Sequence, residues 1–321
     1  MPAPRGADPL RLQDLSGRTM GTLWSLRIDN PDFLPLDQIR ACVEDSFERV
    51  IAQMSTWEPE SHICRYNSAP AGSVHTLAPE FLRVLECALK WADASQGAID
   101  PTVGPLVGLW GFGANPSAAG WPAPQALECV RSLVNWKRIE LDSRTATLRQ
   151  PGGISLDFSG IAKGFAVDHA CAELNELGLT DFLLGVGGEL RACGMRPGGQ
   201  AWRVRIEGME HQSGHLVLSD MSLATSGNRW HTRQAEGRRW SHTIDPRTGQ
   251  PAAHPLTSVS VMHPECMQAD ALATLLTVMG PLEGMAFARQ HEIAALFAVH
   301  EHGQAHKCLV SPHWASEPSS S

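Results

Sequence analysis

The chain has 321 residues, of which 43% are hydrophobic and 19% are charged, and its formal net charge is −8. These values are typical of a globular protein with one elaborate domain or two smaller ones. An acidic chain offers no broad basic field to nucleic acid or to an anionic membrane surface. Its short basic segments, Arg229–Arg233 and Arg238–Arg239, are too small to argue for nucleic-acid binding.

Hydrophobic periodicity predicts helices and strands in alternation along the first half of the chain. In order, the pattern indicates a strand over 20–28, helices over about 39–54 and 79–95, a glycine- and proline-rich loop over 100–105, a helix from 124 and a hairpin over 139–148.

The second half contains more strands than helices. The pattern predicts a short strand over 155–157, a helix over 163–177, strands over 182–186, 202–206, 215–218, 240–244, 257–262 and 294–299, and helices over about 267–279 and 282–291. Strands occur in runs and hairpins as well as between helices, so we expect an α+β fold with mixed or antiparallel sheets and packed helices. We expect a flexible extension over 1–18, a single domain over 19–312 and a disordered tail over 313–321. A division of the domain into two lobes stays open.

The eight cysteines are scattered and contain no Cys-x-x-Cys pair, which argues against a zinc or redox motif. So many unpaired thiols favour a reducing compartment. The first twenty residues lack the apolar segment of a signal peptide, and no run of about 18 apolar residues predicts a membrane span. We therefore expect a cytoplasmic protein, or a periplasmic protein attached to the inner membrane if an export leader is missing from the sequence.

Two segments near the C-terminal end carry residues suited to phosphate chemistry. The first is Ser241–His242–Thr243–Ile244–Asp245–Pro246–Arg247–Thr248–Gly249, and the second contains Asp270 and Thr274. Residues four apart share one face of a helix, and their carboxylate and hydroxyl oxygens suit a hard cation such as Mg²⁺ or Ca²⁺. His242 could move a proton at neutral pH. Each also has a structural alternative: Asp270 as a carboxylate favoured at a helix N-terminus, and His242 as a hydrogen-bonded strand residue.

A third segment, Gly160–Ile161–Ala162–Lys163–Gly164, lies at a predicted strand-to-helix turn. Free amides at a helix N-terminus attract phosphate, and Lys163 adds a positive charge. The segment matches neither a P-loop nor GxGxxG, so the residues alone favour a purely structural cap. Trp57 has a structural alternative too, as a cover for a helix end.

These segments occur together and in order with several others. The further segments are Thr19–Met20–Gly21–Thr22, Met54–Ser55–Thr56–Trp57, Gly97–Ala98–Ile99–Asp100–Pro101–Thr102–Val103–Gly104–Pro105, Leu109–Trp110–Gly111–Phe112, Leu156–Asp157, Gly187–Gly188, Leu223–Ala224–Thr225–Ser226–Gly227 and Ala269–Asp270–Ala271–Leu272–Ala273–Thr274. With them the chain resembles the ApbE-type flavin transferases, or FAD:protein FMN transferases, from about residue 20 to residue 299.

The resemblance implies an ApbE-like fold with a cleft for FAD and a specific reaction. Such enzymes use Mg²⁺, with Mn²⁺ or Ca²⁺ as alternatives, to move the FMN part of FAD onto a threonine hydroxyl of an acceptor flavoprotein, and they release AMP. The acceptor threonine lies in a Ser/Thr/Gly-rich motif, as in subunits of redox-driven ion pumps or reductases. Two other functions remain open: a metal-dependent FAD pyrophosphatase that yields FMN and AMP, and a non-catalytic FAD-binding protein.

The resemblance also implies roles for particular residues. The metal ligands are the side chains of Asp270 and Thr274 with the carbonyl of Gly160, and Asp270 and His242 are the catalytic residues, His242 for proton transfer at the acceptor threonine. The FAD-binding residues are Lys163 and Asp100 along the FAD, with Met20, Trp57, Ala98, Ile99 and Ile244 lining the flavin or adenine pocket. The chain departs from the usual family pattern at Ser159, where glycine is usual, and at Glu189 and Asn228, where aspartate is common.

Overall fold

Seven α-helices and seventeen strands form within the residues that the computed structural model describes, which are 11–117, 120–206, 215–227, 232–235, 237–299 and 307–314. The helices are α1 (Leu36–Met54), α2 (His62–Ser68), α3 (Pro79–Ala94), α4 (Gly104–Leu109), α5 (Pro124–Arg131), α6 (Ala162–Glu176) and α7 (Cys266–Gln290). The strands are β1 (Leu12–Thr19), β2 (Thr22–Asp29), β3 (Val74–Thr76), β4 (Glu140–Asp142), β5 (Thr147–Arg149), β6 (Phe182–Val186), β7 (Glu189–Cys193), β8 (Trp202–Arg205), β9 (His215–Leu218), β10 (Met221–Gly227), β11 (Thr232–Ala235), β12 (Arg238–Ser241), β13 (Ile244–Asp245), β14 (Gln250–Pro251), β15 (Leu256–His263), β16 (Ala294–Val299) and β17 (Lys307–Val310).

An eight-stranded sheet with the order β1-β2-β6-β7-β10-β15-β16-β17 organises the protein. Every neighbouring pair in it is antiparallel. A doubly wound parallel sheet is therefore excluded, and the predicted α+β class with antiparallel sheets is confirmed.

The two faces of this sheet are covered differently. Alternate residues of β2, namely Trp24, Leu26 and Ile28, are at most 1% exposed and face the main core, which includes buried residues of α1, α3, α6 and α7. The opposite face carries a second core that includes Trp202 of the β8–β9 hairpin. β15 contributes to both, and its first six residues are all buried, as expected for a strand covered on both faces.

Helices α6 and α7 cap each other. The Asp168 carboxylate of α6 accepts hydrogen bonds from the amides of Cys266 (3.0 Å) and Met267 (2.9 Å), the first two residues of α7. The Asp270 carboxylate of α7 accepts one from the amide of Gly164 (2.9 Å), the third residue of α6. Amides in the first turn of a helix have no partner within the helix and carry partial positive charge, so each carboxylate stabilises the other helix. Arg191 of β7 donates to Asp168 at 2.5 Å and ties the pair to the sheet.

The predicted break between helices 267–279 and 282–291 appears as a kink inside α7. Gly280 has φ 74° and ψ −178°, and Pro281 follows it. Glycine accepts this positive φ without a steric cost, while proline cannot donate the next helical hydrogen bond. No membrane span is predicted from the sequence. By length and composition alone α7 could cross a membrane, but 67% of its most apolar window is buried inside the protein, which is typical of a core helix.

Both predicted domain ends need correction. Residues 12–18 are not a flexible extension, because they lie in β1 and pair with β2 from Leu12↔Asp29 to Thr19↔Thr22. At the other end, Trp314 is only 6% exposed and belongs to the second core. The rest of the predicted extension and of the predicted tail concerns residues 1–10 and 315–321, which lie outside the described residues.

The predicted strand over 155–157 does not form, although its backbone is held much as a strand would be. The side-chain amide of Asn67 donates to the carbonyl of Leu156 (2.9 Å) and accepts from its N–H (2.7 Å). The amide of Asp157 donates to the carbonyl of Pro101 (2.8 Å). A side chain and a loop thus replace the neighbouring strands, and they bring the Gly160 turn close to the 100–105 loop.

We expect Asp168→Ala to lower the free energy of unfolding by about 3 kcal/mol, because Arg191 and two helix N-terminal amides lose a charged partner at once. Urea unfolding followed by circular dichroism measures the change. Asp45→Ala, at an exposed position in the middle of α1, is the matched control and should change stability by less than about 0.5 kcal/mol. Equal stabilities for the two variants would contradict the capping role.

Candidate active site

The residues that carry the three predicted oxygen donors meet where the Gly160 turn packs against α7. A Cβ atom placed on Gly160 would lie 3.0 Å from both Cγ2 and Oγ1 of Thr274, so the turn backbone touches this side chain. Asp270 lies one helical turn before Thr274 and is 4% exposed. The Gly164 amide donates to Asp270 and not to the carbonyl of Gly160. Within the described residues, that carbonyl therefore accepts no backbone hydrogen bond from the first turn of α6. The three predicted metal ligands are therefore neighbours.

The donor set fits a hard cation. Burial raises the pKa of the Asp270 carboxyl, and the opposing effects of Lys163 and the Gly164 amide only partly offset it. A buried carboxylate in this position gains from a nearby cation. The described residues contain no group of three or more His, Cys, Asp or Glu side chains that could hold a metal. One carboxylate, one hydroxyl and one carbonyl nevertheless suit Mg²⁺, which usually completes its shell with waters and substrate phosphates.

Lys163 and Glu189 form an ion pair beside these donors. Lys163 Nζ lies 2.6 Å from Glu189 Oε1, and the Glu189 side chain is 3% exposed. Burial and the charge of Asp270 raise the pKa of Glu189 to about 7 against the opposing effect of Lys163. Burial alone would lower the pKa of Lys163, but attraction by Glu189 and Asp270 outweighs it and raises the pKa. The Lys163 ammonium group thus contacts the Glu189 carboxylate and lies in the field of the Asp270 carboxylate, and two buried carboxylates beside one ammonium group favour further positive charge.

Glu189 is the residue that the sequence reasoning missed. It drew notice only because it differs from the usual aspartate after Gly187–Gly188. In the structure its second oxygen, Oε2, is buried and has no hydrogen-bond partner among the described residues. A longer side chain than aspartate at the start of β7 reaches Lys163 on α6, which no local pattern in the sequence could indicate.

His242 lies directly after β12, half-buried, with its ring against the edge of Phe112 at a centroid distance of 6.2 Å. The segment that follows it is tied to α7, because Arg247 bridges Asp245 (3.0 Å) and Glu283 (2.5 Å). His254 Nε2 also lies 3.0 Å from the carbonyl of Val278. The His242 segment therefore runs along the same helix that carries Asp270 and Thr274.

A cavity of about 370 Å³ opens between the Gly97–Asp100 loop, the end of α5 and the Pro246–Arg247 turn. Of the seven predicted FAD-binding residues, only Asp100 lines this cavity; the side chains of Met20, Trp57, Ala98, Ile99, Lys163 and Ile244 do not. Its volume is within the range usual for small-molecule sites.

Asp100 organises the wall of this cavity. Its carboxylate, 5% exposed, accepts hydrogen bonds from the amide (2.8 Å) and hydroxyl (2.6 Å) of Thr102 and from the amide of Trp136 (3.1 Å). Burial raises the pKa of Asp100 in spite of these hydrogen bonds. The structure therefore gives Asp100 a loop-forming role, and its direct contact with FAD stays a prediction.

The remaining predicted FAD-binding residues differ in what they can offer a ligand. Ala98 is fully buried and Ile244 is 5% exposed within a small aromatic core, so neither side chain presents much surface. Ile99 is half-buried beside Ala98. Met20 occupies the tip of the β1–β2 hairpin with φ 48°, followed by Gly21 with φ 72°, as a two-residue hairpin turn with positive φ at both positions requires.

Trp57 is 67% exposed just after α1, and its amide donates to Ser55 Oγ at 3.2 Å. An indole that exposed covers little of the helix end, which weakens the structural alternative considered for it. It leaves a large aromatic surface available to a planar ligand.

Known proteins resemble this chain over most of its length. The model of the ApbE family matches residues 20–297. The FAD:protein FMN transferase of Vibrio cholerae is 33% identical over 296 residues, which cover 91% of this chain and 88% of that protein. The protein of the same name from Chlamydia pneumoniae is 34% identical over 260 residues, covering 78% and 80%. The solved apo structure of the Pseudomonas stutzeri flavinyl transferase ApbE superposes with a TM-score of 0.86 at 32% identity, covering 94% of this chain and 95% of that one. This chain therefore belongs to the ApbE family.

Proposed function

We propose that this chain is an FAD:protein FMN transferase that moves the FMN part of FAD onto a threonine hydroxyl of an acceptor flavoprotein and releases AMP. The single observation that carries this proposal is the meeting of the Gly160 turn, Asp270 and Thr274 beside Lys163, in a chain of the ApbE family. That arrangement suits a ligand that brings its own phosphates to a divalent cation.

In the proposed reaction the threonine oxygen forms a bond to the phosphorus on the FMN side of the pyrophosphate. The bond between that phosphorus and the bridging oxygen breaks, and the bridging oxygen leaves with AMP. The threonine proton passes to His242, because a hydroxyl is a poor nucleophile without a base. The product is a phosphoester-linked flavin.

Asp270, Thr274 and the carbonyl of Gly160 would hold the divalent cation, which we propose to be Mg²⁺, with Mn²⁺ or Ca²⁺ as alternatives. Such a cation supplies polarisation of the attacked phosphate and neutralises charge on the leaving AMP. Lys163 directs its ammonium group to the phosphates, and Glu189 holds that group in place at 2.6 Å. These residues fix the position of the pyrophosphate, and positioning carries much of the rate of a phosphoryl transfer.

The flavin or adenine ring is proposed to lie against the Ala98–Ile99 segment, with Met20, Trp57 and Ile244 around it. The exposed indole of Trp57 supports this placement.

The proposed function is tested by incubating the protein with FAD, Mg²⁺ and a purified acceptor domain that carries a Ser/Thr/Gly-rich threonine motif. We expect the intact mass of the acceptor to increase by one FMN group and AMP to appear in equal amount. FMN and AMP without a labelled acceptor would indicate an FAD pyrophosphatase, and FAD binding without AMP would indicate a binding protein.

We expect Asp270→Asn to reduce flavin transfer by at least about 10²-fold, because the main counter-charge of the cation is lost while one oxygen remains for the Gly164 amide. Calorimetric titration with Mg²⁺ in the presence of FAD should show weaker metal binding. Thermal unfolding of the variant separates this effect from a loss of fold. Near-normal transfer at saturating Mg²⁺ would rule out this metal site.

We expect His242→Ala to bind FAD about as tightly as the parent protein, while transfer falls by about 10²–10⁴-fold, the usual range for a general acid–base group. The pH–rate profile of the parent should contain a histidine-like step that the variant lacks. Fluorescence titration of FAD and initial rates at saturating FAD measure the two effects separately.

Lys163→Ala is the contrasting variant, since losing a cation near the phosphates should weaken FAD binding and leave a smaller rate defect at saturating FAD. If His242→Ala instead loses FAD affinity and transfers normally at high FAD, the histidine is part of the pocket wall. Asp245, although paired with Arg247, would then be the next candidate for the base.

A further inference from the structure

A basic surface lies on the β11–β12 hairpin, and none of its residues has a role in the proposed binding of metal or FAD or in proton transfer. Residues 229–239 contain four arginines and one glutamate, Glu236, in a chain whose net charge is −8. Three of these arginines are described: Arg238 and Arg239 are exposed on β12, and Arg233 is half-buried on β11. The register places Arg233 and Arg238 on the hairpin face that carries Trp240, and Arg239 on the other face beside Thr232. We call these three arginines, with the rings of Phe112 and Trp121, the arginine surface.

Aromatic rings hold two of these guanidinium groups in place. The Arg233 group lies over the Phe112 ring at 5.7 Å, and the Arg238 group lies over the Trp121 ring at 4.9 Å. Trp121 in turn meets Trp240 of β12 at a centroid distance of 5.6 Å. The hairpin is thus fastened to the 110–121 loop, and its charges are presented from a defined position rather than from freely moving side chains.

The arginine surface is continuous with the proposed catalytic histidine. The ring of Phe112 contacts His242 with one edge and carries Arg233 over one face. Along the chain, Arg238 and Arg239 precede His242 by four and three residues on the strand that leads to it. A molecule that places a hydroxyl at His242 therefore passes next to these positive charges.

Within the part of the chain that the structure describes, the charges of this surface have no carboxylate partner. Other arginines are paired, such as Arg191 with Asp168 and Arg247 with Asp245 and Glu283. None of the three arginines of the surface forms an ion pair with a carboxylate of the described residues, and Arg239 bonds only the hydroxyl of Thr232 (3.3 Å). Exposed like charges repel one another, so this arrangement favours an external partner of opposite charge.

We propose that the arginine surface docks the acceptor protein through acidic residues that flank its threonine. This inference rests on the proposed function, because it places the acceptor segment along β12 with the threonine at His242. Charge complementarity selects the partner: an acidic segment is attracted to the three arginines, while the rest of the acidic enzyme repels it. The attraction speeds encounter and orients the segment, and it weakens as salt screens the charges.

The test compares two charge-reversal variants with the same change in net charge. Arg238→Glu/Arg239→Glu alters the arginine surface, and Arg203→Glu/Arg205→Glu alters two exposed arginines of β8 on another hairpin. The acceptor is a purified domain whose threonine motif has at least two acidic neighbours. At low salt we expect the first variant to raise the KM for the acceptor about tenfold or more, with kcat at saturating acceptor and the Kd for FAD within about twofold of the parent.

We expect the Arg203→Glu/Arg205→Glu control to match the parent, and the difference between the variants to shrink as salt rises. An acceptor whose acidic neighbours are changed to lysine should react better with the Arg238→Glu/Arg239→Glu variant than with the parent. Equal KM values for the two variants, or a loss of FAD affinity in the first, would overturn the proposal. Failure of the proposed function looks different, because the parent would then label no acceptor at any concentration.

Discussion

The reciprocal capping of α6 and α7 is the constraint on which the rest of the site depends. Asp168 binds the first amides of α7, and Asp270 binds an amide in the first turn of α6. The two helix starts are thereby fixed side by side, and their approach leaves no room for a side chain at Gly164, where a Cβ atom would lie 2.7 Å from that of Asp270. The same contact places Thr274 against Gly160. One pair of carboxylates thus serves both the stability of the fold and the geometry of the donors.

This arrangement explains why carboxylates that cost free energy to remove from water are buried in the core. Burying Asp270 raises its pKa, and burying Glu189 nearby adds a second carboxylate to the single ammonium group of Lys163. A protein selected for stability alone gains little from such a cluster, because desolvation of charges offsets their attraction. A site that receives a cation and a pyrophosphate recovers this free energy on binding.

Much of the fold follows from local pattern, and what does not is held by distant partners. Helix α6 and strands β6, β9 and β16 lie within one residue of their predicted bounds, and the ends of α6 and β6 are marked in the sequence by Gly178 and Gly187. β1 was missed since it is an edge strand of mostly polar sequence, with only Leu15 buried. The strand predicted over 155–157 failed because Asn67, far away in sequence, supplies its hydrogen bonds. At the site, the spacing of four residues between Asp270 and Thr274 could be recognised in the sequence. The Lys163–Glu189 pair could not, because it joins a helix to a strand and has no local sequence pattern.

The most direct test of this account is the position of the cation itself. Crystals of the protein grown with FAD and Mn²⁺ allow the metal to be located by its anomalous scattering. The account predicts a peak bonded to the Asp270 carboxylate, Thr274 Oγ1 and the carbonyl of Gly160, with FAD phosphate oxygens completing the shell at about 2.0–2.2 Å. A peak held by Glu189 or Asp100 instead, with Asp270 free of metal, would contradict it.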